Sequence, residues 1–301
     1  MKRRNKILLG AGLGSLTAIL GYVAVTVIPN LFYKKGYTRE EINNLIIVGH
    51  RGGAGLGPEN TLQTIERGIE AGADMIEIDI HQTKDGKIVV CHDESIDRTT
   101  DGKGLIRDLT FDEIRSHNIV DENGTVTDYK VPTLDEVMQL VNGRVKLLVE
   151  IKRTGHIYEG IEKQLVDAIA AHNAEDWVVA QSFNDSVLRN LHALSPSLRL
   201  EKLWICKLAG IPDGIDGTIS EYSFEKYSYV SSFNFFYMSV TDSMIEQIHR
   251  HGKEVKIWTV KSPKSTPHLK VDGIITNYPN LWKLLLSDKN RGRHKSMAQL
   301  L

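Results

Sequence analysis

The stretch "MIEIDIHQTKDGKIVVCHD" (75–93) holds two apolar runs, Met75–Ile80 and Lys87–His92, separated by very little chain. Two parallel strands need a crossover of a dozen or more residues between them, and "TKDGK" is too short for one. The second run therefore folds back antiparallel on the first. Asp85-Gly86 is a strong signal for a two-residue hairpin, because a type I′ turn needs positive φ at both central positions. That turn would set Lys84 opposite Lys87, Thr83 opposite Ile88, Cys91 opposite Ile80 and His92 opposite Asp79.

The hairpin decides the strand count. Apolar, β-branched runs recur at 45–50, 75–80, 87–92, 145–152, 177–183, 198–204, 229–234, 254–260 and 272–277, with amphipathic stretches between most of them. Removing the antiparallel member leaves eight runs that alternate with helices, the pattern of a parallel sheet covered by helices. Eight βα units in about 250 residues predict a TIM (β/α)8 barrel with a β-hairpin after its second strand. Residues 93–131 exceed what a βα connection needs and read as a small insertion on the rim. Thr110 with Glu113, and Thr133 with Glu136, predict capping boxes; Thr241 and Gly252 bracket another helix. Asn60 with Gln63 reads as a cap for the first barrel helix. The connection 261–271 carries Pro263 and Pro267 and is not expected to form a helix. No motif marks 206–230.

Before the barrel, Lys2, Arg3, Arg4 and Lys6 precede an uncharged stretch from Ile7 to Tyr33, which Lys34 and Lys35 follow. About 20 apolar residues span a bilayer, so residues 1–35 are expected to form an N-terminal transmembrane anchor, with a cleavable signal sequence as the competing reading. The excess of basic residues ahead of the span places the N-terminus inside. A single-pass cell-membrane protein with an extracytoplasmic catalytic domain follows. The barrel domain is expected over 36–287, with a polar, basic tail over 288–301. Removing the six basic residues of 1–35 from the chain's 37 leaves 31 against 38 acidic, a formal charge of −7. That balance argues against nucleic acid as a partner. Cys91 and Cys206 read as reduced, buried thiols.

TIM-barrel sites lie at the C-terminal strand ends. His50 and Arg51 end the first strand. Glu77 and Asp79 share one face of the second, and their neighbours Ile76, Ile78 and Ile80 must be the face that packs outward. Glu150 and Lys152 end the next parallel strand. Three carboxylates at one mouth repel each other unless a hard divalent cation with oxygen ligands neutralises them. His92 joins them through the hairpin. Two histidines, a metal, Arg51 and Lys152 suit phosphoryl chemistry: the positive groups hold the phosphate and the histidines move protons. Glu59 in "GPENT" faces the same site, and Trp258 is barrel lining that could wall one arm of the substrate. His81 lies one step further out than Asp79 and reads as rim.

From "GHRGGAGLGPENTLQTIERGIEAGADMIEIDIHQTKDGKIVVCHDESIDRTTDGKG" through "LLVEIK" and "AQSF" to "VKIWTV" and "DGIITNYP", the chain resembles the glycerophosphodiester phosphodiesterases. The resemblance implies a TIM barrel that uses Ca²⁺ or Mg²⁺ to hydrolyse glycerophosphodiesters to sn-glycerol 3-phosphate and an alcohol. It implies His50 and His92 as catalytic, Glu77, Asp79 and Glu150 as metal ligands, and Arg51 and Lys152 as phosphate contacts. A lysophospholipase D acting on lysophospholipids keeps the chemistry and changes the substrate. A phosphatidylinositol-type phospholipase C also uses a barrel and two histidines, but does not call for Pro-Glu-Asn-Thr and Glu-x-Asp together. An inactive barrel that only binds phosphate is the alternative of a different class, and the presence of both histidines and all three carboxylates speaks against it.

Overall fold

The computed structural model describes residues 34, 36–152, 158–204 and 221–287. The expected anchor, the tail and most of the segment without a motif lie outside the described residues. Among the described residues, no helix is long and apolar enough to cross a membrane.

The chain runs through α1 (Arg39–Asn43), β1 (Ile46–Gly49), α2 (Leu62–Glu70), β2 (Met75–Gln82), β3 (Ile88–Val90), α3 (Phe111–Ser116), α4 (Leu134–Val141), β4 (Lys146–Ile151) and α5 (Ile161–Ala171). It continues through β5 (Val178–Ser182), α6 (Asp185–Leu194), β6 (Arg199–Trp204), α7 (Glu221–Lys226), β7 (Ser232–Phe236), α8 (Asp242–Arg250), β8 (Glu254–Val260), β9 (Gly273–Thr276) and α9 (Pro279–Ser287). Eight strands pair in parallel, and β1 pairs with both β9 and β2, so the sheet closes. The barrel is the one the sequence predicts. As expected, no helix forms between β8 and β9.

The alternation of side chains explains the closed sheet. Ile76, Ile78 and Ile80 on β2, and Leu147, Val149 and Ile151 on β4, are buried outside the barrel under the helices. Each such side chain contributes roughly 1.5–3 kcal/mol by leaving water. The intervening positions point inward. Val48, Met75, Leu148, Val179 and Ile275 form an apolar layer in the bore, with Trp258 packed partly against it. Above and beside that layer the bore is polar. The insertion has a core of its own, in which Ile96, Ile106, Ile114 and Ile119 pack on Val89, Cys91 and Val131.

The capping boxes at Thr110 and Thr133 are present, and Thr241 accepts from Met244 N. Two local expectations fail. Thr61, rather than Asn60, caps α2 by accepting from Thr64 N. The hairpin turn is also one residue longer than a type I′ turn. Only Gly86 takes positive φ, at 80°. Asp85 instead uses its carboxylate to accept from the Thr83 hydroxyl (2.6 Å) and from Phe111 N (2.9 Å). Thr83 N then bonds to Lys87 O, giving a three-residue loop that closes on a left-handed glycine. The register shifts accordingly: Ile80 faces Val90, and Cys91 N donates to Asp79 O.

Candidate active site

A one-residue slip within a continuous ladder would send His92 to the opposite face. The ladder ends at Val90, however, so the slip does not carry through. Beyond Cys91 the chain turns over the mouth, and His81 fixes it there. His81 is fully buried rather than at the rim. Its Nε2 lies 3.2 Å from the His92 carbonyl oxygen and its Nδ1 lies 2.8 Å from the Tyr158 hydroxyl. Nε2 therefore donates to the carbonyl and Nδ1 accepts from the phenol. Burial holds His81 down at about 4, which keeps this neutral arrangement.

The carboxylates sit side by side because Asp79 and Glu150 are register partners on β2 and β4. Glu77, Asp79 and Glu150 each place an oxygen within 4.8 Å of the others, all three buried. Lys152 Nζ lies 2.7 Å from Asp79 and 3.0 Å from Glu150. Burial, reinforced by the charges of Asp79 and Glu150, pushes Glu77 well above the usual carboxylate range. Burial pushes Glu150 up to about 7 even against Lys152. Burial also opposes the charge on Asp79, but Lys152, His92 and Arg51 outweigh it and hold this carboxyl down. Lys152, with Arg51 Nε 3.8 Å from Asp79, thus compensates three carboxylates incompletely. An all-oxygen set short of positive charge suits a hard divalent cation. The described residues hold no other such group of acidic, histidine and cysteine ligands.

The Pro-Glu-Asn-Thr loop braces this triad. Asn60, at a left-handed φ of 57°, donates from Nδ2 to Asp79 Oδ2 at 2.9 Å. This tertiary bond takes the side chain that capping would have used. Arg51, also left-handed at φ 51°, turns its backbone N–H onto Glu77 Oε2 at 2.8 Å. A non-glycine residue in that region costs on the order of 1–3 kcal/mol, which the surrounding fold must offset. Close packing of this turn explains Gly68, where a Cβ would stand 2.2 Å from the Gly52 carbonyl oxygen.

Each histidine has a partner on Nδ1. His50 Nδ1 stands 2.6 Å from Asn277 Oδ1, and His92 Nδ1 stands 2.7 Å from Asp93 Oδ1. Burial, then the Arg51 charge, lowers His50 to about 4; burial, then Lys152, lowers His92. Both rings are neutral near pH 7 with the proton on Nδ1, and each offers the lone pair of Nε2. Asp93 is held by Arg98 Nε at 2.7 Å, and Arg98 bonds in turn to Glu59, which also accepts from Arg51 Nη1 at 3.0 Å. This chain keeps Glu59 and Asp93 ionised: bonds from Arg98 lower both, and in Glu59 they overcome its burial. Arg51 Nε is buried without a hydrogen-bond partner among the described residues, 3.8 Å from Asp79 Oδ2.

The structure therefore brings together His50, Arg51, Glu59, Glu77, Asp79, His92, Glu150 and Lys152. Lys152, expected as a phosphate contact, reaches into the triad as its counter-charge. Trp258 lines the barrel, half-buried against Phe183 and Phe236, with Nε1 donating to Asn234 O. The sequence reads His81 as rim and does not single out Asn277, Asp93 or Arg98. Asn277 follows the last strand, so its position alone could have drawn attention to it. Asp93 and Arg98 lie in an irregular loop that carries no periodic signal.

Residues 50–281 match the model of the glycerophosphoryl diester phosphodiesterase family. A glycerophosphodiester phosphodiesterase of Caldanaerobacter subterraneus subsp. tengcongensis is 34% identical over 239 residues, 78% of this chain and 94% of that one. The protein of the same name from Bacillus altitudinis is 34% identical over 243 residues, 78% and 95% of the two chains. The fold is also that of an Oleispira antarctica phosphodiesterase solved with the product sn-glycerol-3-phosphate (TM-score 0.64, 22% identity, 83% of this chain and 99% of that one).

Proposed function

The chain belongs to the glycerophosphoryl diester phosphodiesterase family, and on that premise we propose that it hydrolyses glycerophosphodiesters to sn-glycerol 3-phosphate and an alcohol. Ca²⁺ or Mg²⁺ would be held by Glu77, Asp79 and Glu150, and His50 and His92 would carry the protons. The observation behind this reading is a pair of neutral histidines, each with Nδ1 engaged, at a carboxylate triad short of positive charge.

A bound divalent cation supplies charge neutralisation to the triad and to a phosphodiester drawn to it. Arg51 Nε, a buried donor without a hydrogen-bond partner among the described residues, binds a phosphate oxygen. Lys152 adds positive charge while it orients Asp79 and Glu150. One histidine accepts the proton of the attacking nucleophile at Nε2; the other, neutral before substrate binds, takes up a proton from solvent at Nε2 in the complex with the anionic phosphodiester and then donates it to the departing alcohol. Glu59 and Arg98 tie Arg51 and Asp93 into one frame, so both phosphate binding and His92 are oriented by the same chain.

The test is a panel of deacylated and monoacylated substrates given to the full chain in detergent, with and without added Ca²⁺ or Mg²⁺. Metal-dependent release of sn-glycerol 3-phosphate from the deacylated diesters is expected. Preference for lysophospholipids would favour the lysophospholipase D reading, and no turnover of any diester would favour an inactive, phosphate-binding barrel. We further propose that residues 1–35 anchor the enzyme with its barrel outside the cytoplasm. An alkaline phosphatase fused after Leu301 should then be active; an inactive fusion, or a mature chain beginning near residue 30, would overturn the anchor topology.

A further inference from the structure

A cavity of about 680 Å³ opens between the loop after β1, the insertion and the residues after β9. Three of its lining residues touch the reaction centre. Glu59 holds Arg51, Arg98 holds Asp93 beside His92, and Asn277 holds His50. A phosphodiester at the mouth therefore has one ester arm directed to this space. We propose that the cavity is the subsite for the departing alcohol and that it takes an uncharged, polyhydroxylated headgroup. This rests on the phosphodiesterase reading above.

Size and wall chemistry carry the choice. Pockets of roughly 300–1,000 Å³ enclose ligands well above the size of a three-carbon fragment, so the space suits a sugar- or cyclitol-sized arm better than the glycerol common to all such substrates. An acyl chain gains about 0.8 kcal/mol per methylene only where it meets apolar surface. Here it would meet Arg67, Arg98, Asp121, Glu122 and Asn123, and would remove those groups from water at a cost.

A cationic headgroup fares no better. Glu59 is bound by Arg51 and Arg98, and Asp121 accepts from the backbone N–H groups of Asn123 and Thr125. Glu122 lies exposed on the rim, where water screens it. Among the described residues the phenols of Tyr129 and Tyr278 make no hydrogen bond, whereas the Asn123 side chain already bonds to Asp121. Hydroxyls can both donate to and accept from phenols, and aromatic faces pack against the C–H faces of a ring. Tyr278 lies close over the loop because Gly55 has no side chain; a Cβ there would stand 2.2 Å from the ring.

The test compares kcat/KM of the full chain for glycerophosphoinositol, glycerophosphocholine and lysophosphatidylcholine, in wild type and in Tyr129→Phe/Tyr278→Phe. Wild type should prefer glycerophosphoinositol by about tenfold or more. The double variant should lose about fivefold or more on that substrate, the size of two modest hydrogen bonds, and less than twofold on the other two. Thermal melting of the variant checks its fold, and each single Tyr→Phe change stands in should the pair unfold. A wild-type preference for either choline substrate overturns the subsite while leaving the phosphodiesterase reading intact. A loss shared equally by all three substrates does the same. Hydrolysis of none of them removes the parent reading and the subsite with it.

Discussion

Two buried polar clusters share one barrel, and they are organised oppositely. In the bore, Lys256 Nζ bonds to Glu201 Oε1 at 2.7 Å, both side chains fully buried. Glu201 Oε2 accepts from Asn234 Nδ2 at 2.7 Å, and the same Nδ2 donates to Gln181 Oε1 at 2.9 Å. Ser232 donates to Asn234 Oδ1, so the orientation of each amide is forced by the next. The last amide points Gln181 Nε2 at Glu77 Oε1, 3.5 Å away. At the mouth, three carboxylates share Lys152 and a more distant Arg51, whose Nε lies 3.8 Å from Asp79 and has no hydrogen-bond partner among the described residues. The bore matches two anions, Glu201 and Glu254, with two cations, Lys256 and Arg199, and both Glu201 oxygens are bonded; the mouth is left short of positive charge. Burial is common to both, so incomplete pairing is what distinguishes chemistry from structure here.

The largest difference is expected on removing divalent cations. Chelation should lower turnover by roughly 10³-fold or more, since the triad then repels the phosphate it should bind. The bore needs no ion, so the fold should survive, as far-ultraviolet circular dichroism can check. Full turnover after exhaustive dialysis against EDTA would break the contrast. In the bore, Lys256→Met leaves the buried Glu201 with only Arg199, 3.8 Å away, and should cost about 3 kcal/mol in denaturant unfolding. A loss below about 1 kcal/mol would mean that the bore, like the mouth, tolerates uncompensated charge.

The mouth was far more legible in the sequence than the bore. Glu77, Asp79 and Glu150 stand out because acidic residues alternate with isoleucine, leucine and valine on short runs, and a period of two fixes their common face. His92 was legible for a partly mistaken reason. Asp85-Gly86 alone predicts a type I′ turn, while the actual turn depends on the bond from Phe111 N, 26 residues away. Asn60 likewise looks like a helix cap in the sequence, because its partner Asp79 is brought near only by folding. Glu201 and Lys256 lie 55 residues apart on β6 and β8, and nothing local announces that they meet. Long-range pairing inside a closed barrel has no periodic signature.

Within the mouth, His50→Ala and His92→Ala should each lower kcat on the order of 10²-fold, with metal affinity nearly unchanged, because neither is a ligand. His81→Gln should lower kcat less, by about tenfold, since it acts by holding the His92 carbonyl. In a His92→Ala background the His81 effect should disappear. Full additivity of the two changes would reduce His81 to a packing residue.

The smallest effect sharpens the contrast most, because the same kind of change should have opposite sign in the two clusters. Removing one charge from the bore destabilises; removing one from the metal-free mouth should stabilise. Glu150 stands at about 7 in the fold against an ordinary 4.5, raised by burial and by Asp79 against the opposing pull of Lys152. A raised carboxyl contributes stability that is fully present below pH 4.5 and lost as pH rises through about 7. Glu150→Gln removes that penalty, while Lys152 keeps its contact with Asp79. In EDTA the variant should therefore match wild type near pH 4.5 and gain on the order of 1 kcal/mol by pH 8. Added Ca²⁺ or Mg²⁺ should reverse the order, since binding to the native state stabilises wild type and the variant has lost a ligand. A variant less stable than wild type at pH 8 in EDTA would mean that Lys152 already neutralises the triad, and the metal assignment would lose its electrostatic basis.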